Sequence, residues 1–369
     1  MKIIIRNCNV AELDIPLKYA TKLYNEFAIR HPNAFYLRTR QRGMQNWDGK
    51  IKYITKTGQF KIGLLPSVYK RCIELGIKPI IVDMRQPLPK VSKVVTQIGK
   101  YKLRPEQEKA VKAILSNKLG ETPFQIGVLD YTVNAGKTLI MSALYLSYKK
   151  QLKTLLITND SDWLNQARDE FKQYLPGEDI TFVQGKVLNW SNFTIGMVQS
   201  ISRNMKYYQN ELAKIDMVLI DEADQGGSKQ YQNVITRLFN TRVRIGLSGT
   251  IYMSKLAKDK VKNMNLRCFF GDVLAEFKLK DSIKKGYSTK TIVKTVEGKP
   301  WFGNWESDCM SYNEIYDDSI THNKIAWTMA LDRLKWNLNQ GRYPALVVCK
   351  HIAHCENLYK FFKKKLGDA

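Results

Sequence analysis

Acidic residues are scarce. Against 59 Lys and Arg the chain has 34 Asp and Glu, a formal charge of +25 over 369 residues. Such a surface repels cationic partners and favours a polyanion, with nucleic acid ahead of an anionic membrane. Cysteine is sparse as well: Cys8, Cys72, Cys268, Cys309, Cys349 and Cys355 lie scattered along the chain. That dispersal excludes a dense disulfide framework and fits reduced thiols inside a cell. Long apolar runs are missing. None approaches the roughly 18–20 residues of a membrane helix. The N-terminal MKIIIRNCNVAELD turns polar after a few apolar residues, so it lacks a signal-peptide core. No membrane partner is expected. The CKHIAHC stretch groups Cys349, His351, His354 and Cys355, but its spacing matches no standard zinc pattern. It reads as the end of a buried strand, ALVVC, running into a helix.

What the chain has is alternation. IGVLD (126–130), TLLIT (154–158), FTIGMV (193–198), DMVLID (216–221) and VRIGLS (243–248) are short apolar runs of strand type. Stretches of helical period lie between them, such as LNQARDEFKQYL (164–175). Strand–helix alternation implies a parallel, doubly wound α/β sheet, whose ligands sit beyond the carboxyl ends of its strands.

DYTVNAGKT (130–138) occupies that position. Gly136-Lys137-Thr138 is the ending of a phosphate-binding loop, although the usual pattern puts glycine where Tyr131 stands. Amides at the start of the following helix would face an anion. Lys137 would reach the β/γ-phosphates of a nucleotide, and Thr138 would hold magnesium. Alone, GKT is a weak signal in a lysine-rich chain. VLIDEAD adds Asp221 and Glu222 at the end of another apolar strand. A carboxylate there can hold Mg²⁺ while its neighbour activates water. Two further stretches are weaker when taken singly. GLSGT (246–250) is an ordinary glycine turn, and Gln107 in YKLRPEQEKAV (101–111) is a polar residue in a first helical turn.

In their order LRPEQ, NAGKT, TND-x-x-WLNQ, VQSI, DEAD and GLSGT, these stretches resemble the motor core of superfamily-two helicases. The resemblance implies ATP and Mg²⁺ as cofactors. It implies Arg104 and Gln107 at the adenine, with Asn134, Ala135, Gly136, Lys137 and Thr138 around the phosphates. Lys137, Asp221 and Glu222 would be catalytic, with Thr138 and Asp221 on the metal. Asp224, Ser248 and Thr250 would couple hydrolysis to nucleic acid, and Asn159, Gln199 and Ser200 would contact it. Asn134, where most members have glycine, is a departure that a residue tolerant of left-handed backbone can absorb.

Residues 1–100 carry 19 of the basic and 6 of the acidic residues, +13 of the total. Arg38, Arg40, Arg42, Lys50 and Lys52 alternate there with Phe35, Tyr36, Trp47 and Tyr53. Cations of this kind meet phosphates, and flat rings stack on bases; a charged, solvated domain face is the plainer alternative. NWDGKIKYITKTGQFKIGLLPSVYKRCIELGIKPII narrows the resemblance to the UvsW-type branched-DNA helicases of bacteriophages. That resemblance implies a small α+β first domain, similar to a double-stranded-RNA-binding fold. Within it AELDIPLKYATKLYNEFAI is read as helix, IKYIT and KIGLL as strands, and PSVYKRCIELG as helix. The expected layout is residues 1–90 for nucleic acid, 91–272 for a RecA-like motor domain and 273–369 for part of a second one.

Branched or double-stranded DNA is the expected partner, with single-stranded DNA or RNA as further options. The expected location is the cytoplasm, that of the host for a phage-encoded chain. No Q-x-x-G-R-x-x-R stretch occurs after residue 270, and such an arginine adds orders of magnitude to hydrolysis. A truncated motor is therefore expected: a truncated chain, a split gene product or an incompletely sequenced gene. The alternatives are an ATP-gated nucleic-acid clamp with little turnover and, less well matched, a DNA-packaging ATPase. Oligomeric state, polarity and branch preference are not legible.

Overall fold

The computed structural model describes residues 1–41, 43–91, 93–185, 187–252, 257–290, 311–342 and 345–367. Two compact units result, Met1–Lys290 and Thr291–Ala369.

The first unit begins with a small mixed sheet. β1 (Lys2–Ile5) and β2 (Val10–Asp14) form an antiparallel pair. Ile3, Ile5, Ala11 and Leu13 alternate onto one buried face, the period of a half-buried strand. Ala11–Asp14 is therefore strand, not the first part of the expected helix. Pro16 then lets α1 (Leu17–Glu26) begin, since proline suits a helix start and cannot extend a ladder. An excursion follows: β3 (Ala28–Arg30) pairs with β4 (Lys50–Lys52) around α2 (Ala34–Arg40). β5 (Gln59–Lys61) returns to β2, and α3 (Leu65–Glu74) buries Leu65, Val68 and Cys72. The KIGLL stretch is thus mostly a helical turn, with only Lys61 in a strand. β6 (Ile80–Asp83) closes the sheet parallel to β1, in the order β5-β2-β1-β6.

A hairpin, β7 (Gln97–Ile98) with β8 (Tyr101–Lys102), leads into α4 (Pro105–Leu115). A second hairpin, β9 (Lys118–Leu119) with β10 (Thr122–Pro123), leads into the large sheet.

That sheet comprises β11 (Ile126–Tyr131), β12 (Thr154–Thr158), β13 (Ile180–Gln184), β14 (Val187–Leu188), β15 (Phe193–Met197), β16 (Met217–Asp221), β17 (Val243–Ser248) and β18 (Val273–Phe277). Its order is β14-β13-β15-β12-β16-β17-β11-β18. All neighbours run parallel except the β13–β14 hairpin. β11, β12, β16 and β17 are buried at every residue, as a parallel sheet covered on both faces requires. α5 (Lys137–Ser147), α6 (Ser161–Tyr174), α7 (Val198–Arg203), α8 (Met205–Ala213), α9 (Lys229–Ile235), α10 (Ala257–Phe270) and α11 (Leu279–Lys284) complete the layers. This is a RecA-like doubly wound domain. Three of its strands were not expected: β13, its short hairpin partner β14, and β18. β13 alternates too weakly to stand out, and β18 lies in a stretch read as the start of the second motor domain. Pairing of β18 with β11 joins residues 273–290 to the first unit.

The second unit has α12 (Tyr312–Tyr316), α13 (Lys324–Asn339) and α14 (Ile352–Leu366) around Leu331, Leu358 and Phe362. Residues 345–349, expected as a buried strand, join no ladder among the described residues. Leu346 is 87% and Val348 80% exposed; without a neighbouring strand, apolar character alone does not make sheet.

Candidate nucleotide site

β11 ends at Tyr131, and a five-residue loop, 132–136, feeds α5. Gly136 caps that helix at φ +71°, and Asn134 sits at φ +63°. Both are left-handed, the conformation that curls a loop's amides toward an anion. Tyr131 does not obstruct the loop. Its ring is fully buried near Phe277, with centroids 6.0 Å apart, and its hydroxyl donates to Glu106 O at 2.7 Å. The side chain points into the core, so glycine is unnecessary here.

α4 braces the loop from below. Gln107 is 2% exposed; its Nε2 donates to Ala135 O at 2.9 Å and its Oε1 accepts from Arg104 N at 2.8 Å. Both ends of the carboxamide are engaged with the backbone. Arg104 Nη2 donates to Asn134 O at 3.2 Å, and its guanidinium lies 4.3 Å from the Tyr287 ring centre. Ala135 is buried beside Gln107, and Thr138 is buried in the first turn of α5.

β16 delivers the acidic pair from the second strand across. Lys137 Nζ lies 3.6 Å from Asp221 Oδ1. Asp221 Oδ1 is buried and has no hydrogen-bond partner among the described residues. Burial pushes the Asp221 carboxyl up, and Lys137 opposes it; the Glu222 carboxyl is raised for the same reason, again against Lys137. Glu222 itself sits at φ +51°, a strained backbone for glutamate. A buried carboxylate oxygen without a hydrogen bond, a second carboxylate after it in sequence and the Thr138 hydroxyl at the head of α5 are hard oxygen donors of the kind that suits Mg²⁺. Asp224, Ser248 and Thr250 form one chain. Ser248 Oγ donates to Asp224 Oδ1 at 2.9 Å, lies 3.2 Å from Thr250 Oγ1 and accepts from Thr250 N at 3.2 Å.

The residues expected at nucleic acid fall into two groups. Asn159 and Gln199 meet beyond adjacent strand ends, where Gln199 Nε2 donates to Asn159 O at 3.2 Å. Ser200 is buried, and its hydroxyl accepts from Gly185 N at 2.9 Å, so it ties down the end of β13. Arg38 and Arg40 are exposed on α2, where Arg40 lies 4.9 Å from the Tyr36 ring centre. Trp47 donates to Lys50 O at 3.0 Å, and Lys52 pairs with Asp48 at 3.2 Å. Arg42 lies outside the described residues.

Several contributors had no sequence signal, because their partners are far along the chain. Lys278 pairs with Asp130, and Lys285 pairs with Glu106 at 2.6 Å. These ties join the segment after β18 to β11 and to α4.

Comparison with known proteins agrees with this architecture. Residues 100–253 match the family described as Type III restriction enzyme, res subunit. Over 349 residues, 87% of the chain, it is 22% identical to the ATP-dependent DNA helicase UvsW of Enterobacteria phage T4. The match spans 65% of that relative's length. One crystal structure of the UvsW helicase from bacteriophage T4 aligns with a TM-score of 0.59 at 21% identity, over 74% of this chain and all of that one. Another aligns with a TM-score of 0.57 at 19% identity, over 99% of this chain and 73% of that one. The chain therefore resembles the UvsW-type superfamily-two helicases over most of its length.

Proposed function

We propose that this chain, a relative of the UvsW-type helicases, is an ATP-dependent superfamily-two DNA helicase or translocase that remodels branched DNA in recombination, repair or replication restart. The observation carrying the reading is the phosphate loop facing the acidic pair, with Lys137 3.6 Å from Asp221. In the absence of nucleotide the ammonium compensates the carboxylate. A triphosphate offers Lys137 a stronger anionic partner and leaves Asp221 to a metal. Thr138 and Asp221 would hold Mg²⁺, which on binding neutralises charge on the β- and γ-phosphates. Glu222, raised by burial, would take the proton of the attacking water. Gln107 and Arg104 would report nucleotide through the loop carbonyls they bind, and the Arg104–Tyr287 stack offers a face for the base. Ser248, bonded to both Asp224 and Thr250, would carry the change toward nucleic acid.

Residues 1–90 would serve as the nucleic-acid-binding part, with duplex or branched DNA as partner. Arg38, Arg40, Trp47, Lys50 and Lys52 form a basic, aromatic surface on the excursion between α1 and β5. The expected setting is a host cell's cytoplasm. ATP turnover with and without branched DNA, beside Lys137→Ala, tests the reading. DNA-stimulated turnover lost in the variant is expected; wild-type protein that binds no ATP would refute it.

A further inference from the structure

A second basic site lies at the opposite ends of the large sheet's strands from the phosphate loop. Arg242 and Asp216 immediately precede β17 and β16, so they mark the amino-terminal ends of those strands. A cavity of about 560 Å³ opens there between the motor sheet and the first sheet. Arg6, Arg85, Lys214, Asp216 and Arg242 supply its charged lining.

The charges do not balance. Asp83 serves two guanidiniums: Arg85 at 2.8 Å and Arg242 at 3.4 Å. The side chain of Arg85 is 2% exposed and that of Arg242 is 8% exposed. Behind them Arg244, 1% exposed, donates to Cys8 O and Asn9 Oδ1 at 2.8 Å and to Phe269 O at 3.2 Å, all uncharged acceptors. Asp216 faces Lys153 N at 3.0 Å. At the mouth Arg6 pairs with Glu12 and Lys214 pairs with Glu211. Arg85 and Arg242 therefore share the Asp83 carboxylate, Arg242 Nη1 also donates to Gln86 O, and the buried Arg244 has neutral acceptors only among the described residues. Arg85 Nη1 and Arg242 Nε are buried without a hydrogen-bond partner among the described residues. Buried donors are normally satisfied, and a buried charge without a counterion is costly. Burial lowers the Arg242 pKa and Arg85 lowers it further, the signature of like charges held together.

We propose that this cavity binds a phosphate-class oxyanion, either a nucleic-acid backbone phosphate or free phosphate, held by Arg85 and Arg242 between the first sheet and the motor sheet. A tetrahedral dianion offers acceptors to the unfilled donors and a planar fork can engage it bidentately. The site is independent of nucleotide hydrolysis, because it lies at the far ends of the strands.

The test is calorimetric titration of inorganic phosphate into the full chain with ADP–Mg at saturation, so that the phosphate loop is filled. Wild type is compared with Arg242→Lys, which keeps charge but loses the fork, and with Gln151→Glu. Gln151 is an exposed lining residue, so its replacement adds a repelling charge without touching the buried pairs. Phosphate binding is expected in wild type and about tenfold weaker in Gln151→Glu, the size of one like charge several ångströms away in a partly exposed site. Titration of a DNA duplex over a range of salt separates the two sources. A slope of log affinity against log salt that becomes less steep by about 0.9 in Gln151→Glu assigns the site to a backbone phosphate. Weakened phosphate binding with an unchanged slope assigns it to the free anion. Phosphate binding that is absent while the slope is unchanged, or binding equal in all three proteins, overturns the proposal.

Discussion

Gly136→Ala gives the most direct test of how the phosphate loop is held. At φ +71° an added Cβ would lie 2.4 Å from Gln107 Nε2 and 3.3 Å from Arg104 Nη2. Two penalties follow. A left-handed backbone costs an L-residue with a Cβ about 1–2 kcal/mol relative to glycine. Displacing the buried Gln107 amide from Ala135 O removes a hydrogen bond with a net value of about 1 kcal/mol. A total of about 2–3 kcal/mol can be relieved only by letting the loop leave its anion-binding shape. Nucleotide affinity should therefore fall about 30- to 150-fold, since each 1.4 kcal/mol is tenfold. The matched control is Asn134→Gly, where φ is +63°. Glycine adopts that conformation freely, so affinity should hold or rise. Binding of a fluorescent ADP analogue measures both variants, with thermal melts to separate unfolding from loop distortion. Equal nucleotide affinity for Gly136→Ala and wild type would refute the account of the loop.

Tyr131→Gly would restore the motif's usual glycine and yet destabilise the protein. The ring is fully buried, so the cavity should cost about 3–5 kcal/mol in denaturant unfolding, whereas Tyr131→Phe should cost only about 1 kcal/mol. Gly63→Ala places a Cβ 2.1 Å from Arg267 O and 2.7 Å from Cys268 O; overpacking against backbone should cost at least about 1–3 kcal/mol in the same assay. Asp83→Asn should cost about 2 kcal/mol at neutral pH, less than the about 3–5 kcal/mol of a fully buried broken pair, because its side chain keeps 16% exposure. Burial pushes the Asp83 carboxyl up, but Arg85 outweighs it and holds the pKa below the usual range. Its stabilisation is thus present above the unfolded carboxylate pKa of about 3.9 and lost as pH falls through the lower folded value. Urea melts should show the gap between wild type and Asp83→Asn closing across that acid window.

The strands carrying the candidate site were legible because each is a buried apolar run with a polar residue at or next to its carboxyl end. Asp130, Asp221 and Ser248 all sit at such ends. β18 was missed because Val273–Phe277 alternates and holds Glu276, as an edge strand does. In the first sheet Ala11 and Leu13 fit either period, and only pairing with β1 decides for strand. Tyr131 marks the limit of motif reading. Its acceptability depends on Glu106 O and Phe277, contributed from 25 residues earlier and from the neighbouring edge strand β18. Lys285 and Glu106 are individually unremarkable charges whose ion pair exists only through topology.

The first sheet is built onto the motor rather than tethered to it, and the join is physical at several points. Arg244, inside the central strand β17, reaches Cys8 O and Asn9 Oδ1 in the β1–β2 turn. Asn9 Nδ2 returns to Thr236 O at 3.1 Å, and Cys8 N donates to Phe239 O at 3.2 Å. Tyr53 OH lies 3.0 Å from Asn265 Oδ1 on α10, and Gly63 packs without a side chain against the end of that helix. A fully buried guanidinium with only neutral acceptors, its pKa lowered to about 10 by burial, is worth keeping only where both sides stay fixed around it; separating them would strip its donors. The sheet carrying the basic excursion and the sheet carrying the phosphate loop therefore move together. Under the proposed function, DNA on the surface of Arg38, Arg40 and Lys50 would keep its place relative to Lys137, Asp221 and Glu222 through a nucleotide cycle. Any displacement of DNA would then have to arise against this combined body rather than within it.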